Sequence, residues 1–388
     1  MKFKIFDIIS NSLKPIAWGV CERVGDPTTS SFKATFCSHD LNQDHTDMKT
    51  PFSDHTAAMM TVVKYLTGVL GDDIHNQVVG VGHRVVHGKN AAEAVEVTPA
   101  VLDLISEASD LAPLHNPANL KGILASKSAF PGARQVAVFD TAFHSTMPPR
   151  NYTYALPLEV IDRYHLRKYG FHGTSYKYIC GKSADMVGKD VDAFNGILCH
   201  LGAGASLCAV RNGKSLDTTM GLTPLQGIMM ATRSGDIDPS IVTYLVNKGM
   251  DVGSVENMLN KKSGFLGLCG ASDIRDVHRM ADMGNDRAAL ALDIFVSRVR
   301  KYIGSYMVEL EGNVDALVFT AGIGEHDATI RRMICDGMQW AGIDLCDELN
   351  STTHGQFCRI SKNSSKVPIL VMATDEELCI AEETLAFV

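Results

Sequence analysis

None of the ten cysteines lies closer to another than Cys199 does to Cys208. There is accordingly no CxxC pair for zinc or redox chemistry and no dense disulfide framework, and reduced, mostly buried thiols are expected. No apolar run is long enough to span a bilayer. The start alternates Lys2, Phe3, Lys4, Ile5, Phe6, Asp7, which reads as a strand and not as the uninterrupted apolar stretch of a signal peptide, so the cytoplasm is the expected location. Basic residues are in the minority, 36 Lys and Arg against 44 Asp and Glu, for a formal net charge of −8. That balance argues against general affinity for nucleic acid or an anionic membrane, both of which need an excess of positive charge. An anionic substrate then requires a local basic pocket. The Walker P-loop is missing as well: Gly181-Lys182-Ser183 and Gly213-Lys214-Ser215 both lack the glycine five positions earlier.

What is present is an ordinary globular composition over 388 residues, 45% hydrophobic and 21% charged, with room for two domains. Short β-rich runs (Val78 to Val81, Gln135 to Phe139, Ile197 to His200, Ala316 to Thr320) alternate with helical stretches (His55 to Leu70, Asn285 to Leu310), an α/β pattern. The last stretch carries Leu292, Phe295, Val296, Val299, Tyr302, Ile303 and Tyr306 at helical spacing, which marks a long core helix. The second half opens with a strand (Ile197 to Leu201), a glycine turn (Gly202 to Ala205), a strand (Ser206 to Arg211) and a third after Asn212-Gly213. The first half opens with a strand (Phe3 to Ile9), a turn near Ser10 to Lys14 and another strand (Ile16 to Val24). If the halves are duplicated, the first lacks its opening strand and glycine turn.

HLGAGAS (His200 to Ser206) and FTAGIGEH (Phe319 to His326) each follow an apolar strand. Such segments admit either a plain tight turn or a backbone cradle for phosphate. VGHRVVHG (Val81 to Gly88) puts Arg84 at the end of a buried-looking strand, where a guanidinium needs an anionic partner, whether an internal carboxylate or a substrate. His83 and His87 read as packed or capping side chains, since no HExxH glutamate accompanies them. His115 stands between two prolines in a turn leading to a helix. Asp140-Thr141 ends a strand, where open α/β sheets place ligand-binding groups. His172 precedes a helix that Thr174 or Ser175 can cap, and Arg233 lies in a polar loop after an apolar run. Asp375, Glu376 and Glu377 begin a helix, either as capping residues or as oxygen ligands of a hard cation. Two arginines, two histidines and an aspartate suit phosphoryl transfer by electrostatic positioning.

These segments, with TTMGLTPL, TRSGDIDP, KKSGFLGL, SDIRDV and TDEEL, run in order along nearly the whole chain, which resembles the acetate kinase family. That family belongs to the superfamily of sugar kinases, heat-shock chaperone ATPases and actin. The resemblance implies an α/β fold of two domains built from duplicated βββαβαβα units, with the active site in the cleft and usually a homodimer. The first domain would comprise 1–142 plus a C-terminal helix, 376–388, and the nucleotide-binding domain 143–375. It implies ATP and ADP as co-substrate, acetate and acetyl phosphate as the other pair, and Mg²⁺ (or Mn²⁺) as cofactor. Carried over residue by residue, the substrate arginine falls on Arg84, the catalytic aspartate on Asp140, and the transition-state residues on His172 and Arg233 with His115 nearby. An apolar pocket for the substrate methyl would comprise Val86, Leu114, Phe171 and Pro224. ATP would meet Lys2, the turn His200, Leu201, Gly202, Ala203 and Gly204, the segment Asp273, Ile274 and Arg275, and the segment Gly322, Ile323, Gly324, Glu325 and His326. The magnesium-associated glutamate falls on Glu376.

The family begins with a strand and a loop of the type Asn-x-Gly-Ser-Ser-Ser-Leu-Lys, and this chain starts at the last residues of that loop, with Lys2 on its lysine. The expectation is a misassigned start or a truncation, and in the latter case an exposed sheet edge and lower activity. Smaller departures are Ala203 for Asn, Gln226 for Glu, Tyr176 for His, His326 for Asn and Asp375 for Asn. The alternative substrates are propionate and butyrate, with Val86 leaning towards acetate. From another class, the alternative is a chaperone-like or actin-like nucleotide switch, against which Arg84, His172 and the apolar pocket speak.

Overall fold

Alternating apolar residues become strands and periodic ones become helices in a computed structural model that describes residues 1–10, 12–37, 43–113, 115–355 and 357–388. The chain divides into two units, Met1–Ala142 with Asp375–Val388, and Phe143–Thr374. The helices that bear on the sites are, in chain order, α1 (His55–Leu70), α2 (Asn116–Ala129), α3 (Gly173–Val187), α4 (Ser240–Asn247), α5 (Ile274–Asp282), α6 (Asp286–Glu309), α7 (Ala321–His326), α8 (Ala328–Cys335) and α9 (Glu376–Leu385).

In the first unit β1 (Lys2–Ile9), β2 (Ser12–Glu22), β3 (Ser31–Cys37) and β4 (Gln43–Lys49) form an antiparallel sheet in sequence order. The period-2 pattern turns Phe3, Ile5, Ala17, Cys21, Phe32 and Ala34 to one face, where they bury Ala58, Val62, Val63 and Leu66 of α1. Asp54 starts α1 by accepting a hydrogen bond from the Ala57 N–H at 2.9 Å. A second sheet has β5 (Gly80–Val85) parallel to β7 (Arg134–Phe139), with β6 (Val95–Glu96) antiparallel on the far side of β7. Val136 and Val138 of β7 pack on Ile380 of α9.

The second unit is built on one six-stranded sheet in the order β10-β9-β8-β11-β13-β12, from β8 (Gly196–Leu201), β9 (Ala205–Arg211), β10 (Lys214–Thr218), β11 (Ala316–Thr320), β12 (Cys358–Arg359) and β13 (Ile369–Val371). Every residue of β8 and β11 is buried, as expected of strands covered on both faces. The trio β5-β7-β6 repeats β11-β13-β12: two parallel strands and an antiparallel edge. The counterpart of β8, which pairs antiparallel with β9 and parallel with β11, is not found between β1 and β5 among the described residues, and the first unit has two sheets in place of one.

Some expectations shift. The strand read at Val78 to Val81 begins at Gly80, because Ile74–Gln77 forms a helical turn closed by the Val78 N–H on the Ile74 carbonyl. The turn read at Ser10 to Lys14 is shorter, with β2 starting at Ser12, and Asn11 is outside the described residues. In α6 the predicted face is buried apart from Tyr302, which reaches Asp236 instead. All ten cysteines are free, six of them buried. No helix among the described residues is long and apolar enough to cross a membrane.

Gly82 is what lets α9 lie on β5: a Cβ there would meet Thr384 Oγ1 at 2.3 Å, Ile380 Cγ2 at 2.5 Å and the Ile380 carbonyl at 3.2 Å. Gly82→Ala is expected to cost about 1–3 kcal/mol by overpacking. Gly122, inside α2 with nothing within 4 Å of its virtual Cβ, should behave oppositely, Gly122→Ala gaining about 0.5–1 kcal/mol. Urea unfolding of the two variants checks both signs.

Candidate active site

Because β5 and β7 are parallel, their C-terminal ends fall at one edge of the sheet, and that edge carries Arg84 and Asp140. The Asp140 carboxylate, buried at 1% exposure, accepts from Arg84 Nε at 2.9 Å and Nη2 at 2.7 Å, a bidentate pair. Glu376, in the first turn of α9, stands 3.4 Å from Arg84 Nε. Of the two readings left open for Arg84, the internal carboxylate is present, yet the strand is not closed over it: the side chain is 42% exposed. Asp140 lifts the already high pKa of Arg84 further, with burial acting the other way. Burial pushes the Glu376 carboxyl up, while Arg84 pulls it down. Lys2, on β1, acts on Glu376 in the same direction as Arg84.

Beside this pair, the segment Val86 to Gly88 is held by Thr141 and by two asparagines the sequence reading passed over. Asn119 Oδ1 accepts from the Val86 N–H (3.2 Å), Asn116 Oδ1 from the His87 N–H (3.1 Å), and Thr141 Oγ1 from the Gly88 N–H (3.2 Å). The two asparagines sit in the first turn of α2, which His115 opens at the N-cap position. The only signal for them is polar residues on an apolar-facing turn in HNPAN. Val86 is buried; Leu114 lies outside the described residues. Asp375, also noted as a departure, caps α9 at Leu378 N (2.9 Å) and pairs with Lys4 at 2.5 Å.

The second unit gathers the other residues around the hairpin of β8 and β9. His172 occupies the N-cap position of α3 in left-handed backbone geometry, φ 58°, a costly conformation outside glycine and asparagine. Thr174 and Ser175, expected as caps, lie within the helix and are buried. The His172 ring stacks on His200 with centroids 4.1 Å apart, and its Nδ1 lies 2.8 Å from Ser206 Oγ. Phe171 is buried. A Cβ on Gly204 would stand 3.5 Å from His172 Nε2 and 3.7 Å from Arg233 Nη1, so both nitrogens converge on the bare glycine of the turn.

Arg233 contrasts with Arg84. Its Nη1 donates to the Pro224 carbonyl at 3.2 Å and lies 3.6 Å from Met230 Sδ, and among the described residues no carboxylate pairs with it. Burial alone acts on its pKa, downwards. The loop is fixed from below: Asp236 Oδ2 accepts from the Tyr302 hydroxyl of α6 at 2.5 Å, and its Oδ1 accepts from the Gly227 N–H at 2.9 Å. Gly264, at φ +61°, lies against the Met230 carbonyl, which its own Cβ would strike at 2.0 Å. The Ala203 carbonyl accepts from the Ala231 N–H at 3.1 Å, tying the glycine turn to this loop.

Two further segments complete the unit. Gly322 to His326, expected as a turn, lies in the short helix α7. Glu325 Oε1 accepts from the Ala321 N–H (2.9 Å) and the Thr374 N–H (3.1 Å). Buried Arg331 donates to the carbonyls of Gly324 and Glu325, both at 2.9 Å, and to Asn350 and Thr353. Sequence reasoning missed Arg331, whose periodicity is that of any helix. His326 lies against Gly355. At the start of α5, Arg275 Nε and Nη2 grip Asp273 at 2.9 and 2.6 Å, leaving the guanidinium exposed and planar beside its own helix cap. Those bonds hold the Asp273 carboxyl down at about 2. His278 on α5 pairs with Asp327 at 2.8 Å, joining this helix to the α7–α8 junction.

A strand, a glycine turn and an antiparallel partner at the centre of a mixed sheet, with its flank repeated in the other unit, define the two-domain fold of the actin, heat-shock chaperone and sugar kinase superfamily. Within it the chain belongs to the Acetokinase family, whose sequence profile matches residues 1–382. It is 46% identical to the acetate kinase of Acetivibrio thermocellus over 396 aligned positions, covering 100% of this chain and 96% of that protein. Among solved structures it is similar to the acetate kinase of Porphyromonas gingivalis (39% identity, TM-score 0.88, 99% of this chain and 96% of that one). It is likewise similar to a propionate kinase from Francisella tularensis (38% identity, TM-score 0.90, 100% and 96%).

His87, in the substrate-side segment, is fully buried, its Nδ1 accepting from the Lys89 N–H at 3.0 Å. Burial pulls its pKa from 6.5 to about 4. The unfolded chain thus binds the proton more readily, and stability is complete above pH 6.5 and falls as the pH drops towards 4, by about 3 kcal/mol. His87→Asn should flatten that slope relative to the parent in urea midpoints measured between pH 7 and 4; an unchanged slope would place the acid sensitivity elsewhere.

Proposed function

We propose that the protein transfers the γ-phosphoryl group of ATP to acetate, reversibly, giving acetyl phosphate and ADP. A carboxylate oxygen of acetate forms the new bond to phosphorus while the bond from phosphorus to the β,γ-bridging oxygen breaks, and ADP leaves with that oxygen. The observation that carries this reading is Arg233: a half-buried guanidinium with no carboxylate partner among the described residues, beside His172 Nε2 at a bare glycine, suits an anion. Charge on a migrating phosphoryl is what such donors stabilise, and one arginine of this kind is worth about 10³–10⁵ in rate. His172 would donate to an equatorial oxygen.

Arg84 would neutralise the acetate carboxylate with its exposed edge, while Asp140 holds it in place. Acetate is ionised at neutral pH and needs no base, and both Asp140 oxygens are engaged on Arg84, which favours orientation over proton transfer. His115 would lie beside the reacting groups; Val86, with Leu114, Phe171 and Pro224, would receive the methyl. The nucleotide would be held by His200 to Gly204, by the α7 segment, and by the planar Arg275 and Asp273 for the adenosine end. Lys2 would contribute a further charge.

Mg²⁺, or Mn²⁺, is the cation we infer. Among the described residues no group of three or more His, Cys, Asp or Glu could hold a metal, but Mg²⁺ bound to phosphates takes only one or two carboxylates and keeps waters. Glu376, whose carboxyl is lifted by burial and by its neighbours Asp140 and Glu377, fits that need. The bound ion would neutralise charge on the phosphates. We infer as well that the protein works in the cytoplasm, in keeping with ten free thiols, and that it forms a homodimer. Helix α4 reads SIVTYLVN and has no buried residue, with Ile241 and Tyr244 exposed one turn apart, an apolar surface that a second copy would cover.

Trapping acetyl phosphate with hydroxylamine in the presence of Mg·ATP tests the reaction. Arg233→Ala is expected to lower kcat by about 10³ or more with ATP affinity within about threefold; a large loss of ATP binding would refute its phosphoryl role. The similarity to a propionate kinase favours one second reading. An extra methylene is worth about 1–3 kcal/mol in an apolar pocket, so kcat/KM should prefer acetate by only a modest factor, and a clear preference for propionate would reverse the assignment.

A further inference from the structure

A histidine can donate to a phosphoryl oxygen through Nε2 while neutral only if its proton is on that nitrogen, and the surroundings of His172 bear directly on where it sits. Tyr176, one helical turn after His172 in α3, places its hydroxyl 2.6 Å from Ser206 Oγ, and the same Oγ lies 2.8 Å from His172 Nδ1. Tyr176 and Ser206 are both fully buried, so neither hydroxyl has solvent as an alternative partner.

The directions follow from counting protons. The Tyr176 hydroxyl lies 2.6 Å from Ser206 Oγ, and the phenol's proton goes to that oxygen. Burial pushes the phenol pKa far above its ordinary value, which keeps that proton in place. Ser206, already accepting from Tyr176, turns its single proton to His172 Nδ1. A nitrogen that accepts cannot carry the hydrogen of a neutral imidazole, so Nε2 does, and Nε2 is the atom beside Gly204 and Arg233. The stack on His200, itself 2.9 Å from Ser175 Oγ through Nδ1, fixes the plane of the ring.

We propose that Tyr176 and Ser206 form a two-hydroxyl relay that holds His172 in its Nε2–H tautomer, both being positioning residues for the donor to the transferred phosphoryl group. The inference rests on the reading of His172 given above, and its test separates the two. In protein labelled with [¹⁵N]histidine, the two-bond proton–nitrogen spectrum should show His172, identified by its loss in His172→Gln, with a pyridine-like Nδ1 and a pyrrole-like Nε2. Tyr176→Phe, which removes a single oxygen and keeps the packing, should draw the two nitrogen shifts together. It should also lower kcat by about tenfold, less than the 10²–10³ that a whole hydrogen-bond donor is worth, with KM for ATP and for acetate within about twofold. Ser206→Ala should do the same or more. An Nδ1–H tautomer in the parent, or variants that leave both the shifts and kcat unchanged, would overturn the relay. A His172→Gln enzyme with parental kcat would overturn the reading of His172 as donor, while the spectrum would still decide the relay.

Discussion

The partial desolvation of one guanidinium, Arg233, sets what its loop in the second unit has to do. A half-buried cation with no carboxylate partner among the described residues keeps part of its desolvation penalty, and the structure meets it with dipoles: a carbonyl at Pro224 and a thioether at Met230. Dipoles stabilise the charge but leave it unneutralised, so attraction for an anion is retained. The loop must then be rigid, or the side chain would swing to water. That rigidity comes from Asp236, which is tied to Tyr302 on the core helix and to Gly227, and from Gly264, whose left-handed backbone admits the Met230 carbonyl. The core helix thereby helps to hold the Arg233 loop through Tyr302 and Asp236.

Arg84 solves the opposite problem. Its partner Asp140 is almost wholly buried and would be costly alone, so each ion is the condition for the other. Bidentate geometry fixes the guanidinium plane, and the 42% of the side chain left exposed presents oriented donors whose formal charge Asp140 already matches. An arginine held this way discriminates by shape, whereas Arg233 attracts by net charge. In the proposed reading, the one would meet acetate's planar carboxylate and the other the phosphoryl group.

Much of this was legible from residues alone. Helix α1 was bounded correctly from His55 to Leu70 and β11 from Ala316 to Thr320, because both carry a clean periodicity with turn residues at the ends. Arg84 was marked as needing an anion, since charge in an apolar strand is a local contradiction. What the sequence hid was pairing at long separation: Asp140 lies 56 positions from Arg84, and Ser206 lies 34 from His172. It hid, too, conformations that break local rules. No propensity places a histidine at φ 58°, and so Thr174 and Ser175 were read as caps. Tyr176 stood out only as a departure from the family pattern, and its partner Ser206 lies 30 positions away on another element.

Parallel pairing, present in both units though between strands that do not correspond, sets where the proposed site residues stand. In the first unit β5 and β7 run parallel and end at Arg84 and Asp140; in the second β8 and β11 run parallel and end at His200 and at Thr320, the start of the α7 segment. Parallel strands end at one edge of a sheet, and there the backbone leaves its ladder and side chains are released from the packed faces. The same geometry, used twice, therefore yields two polar edges. It imposes no identity on them: the first unit answered its edge with carboxylates around an arginine, the second with glycine, histidine and backbone. A transfer reaction between two anions requires that inequality, because two identical anion sites would bind both partners without telling them apart.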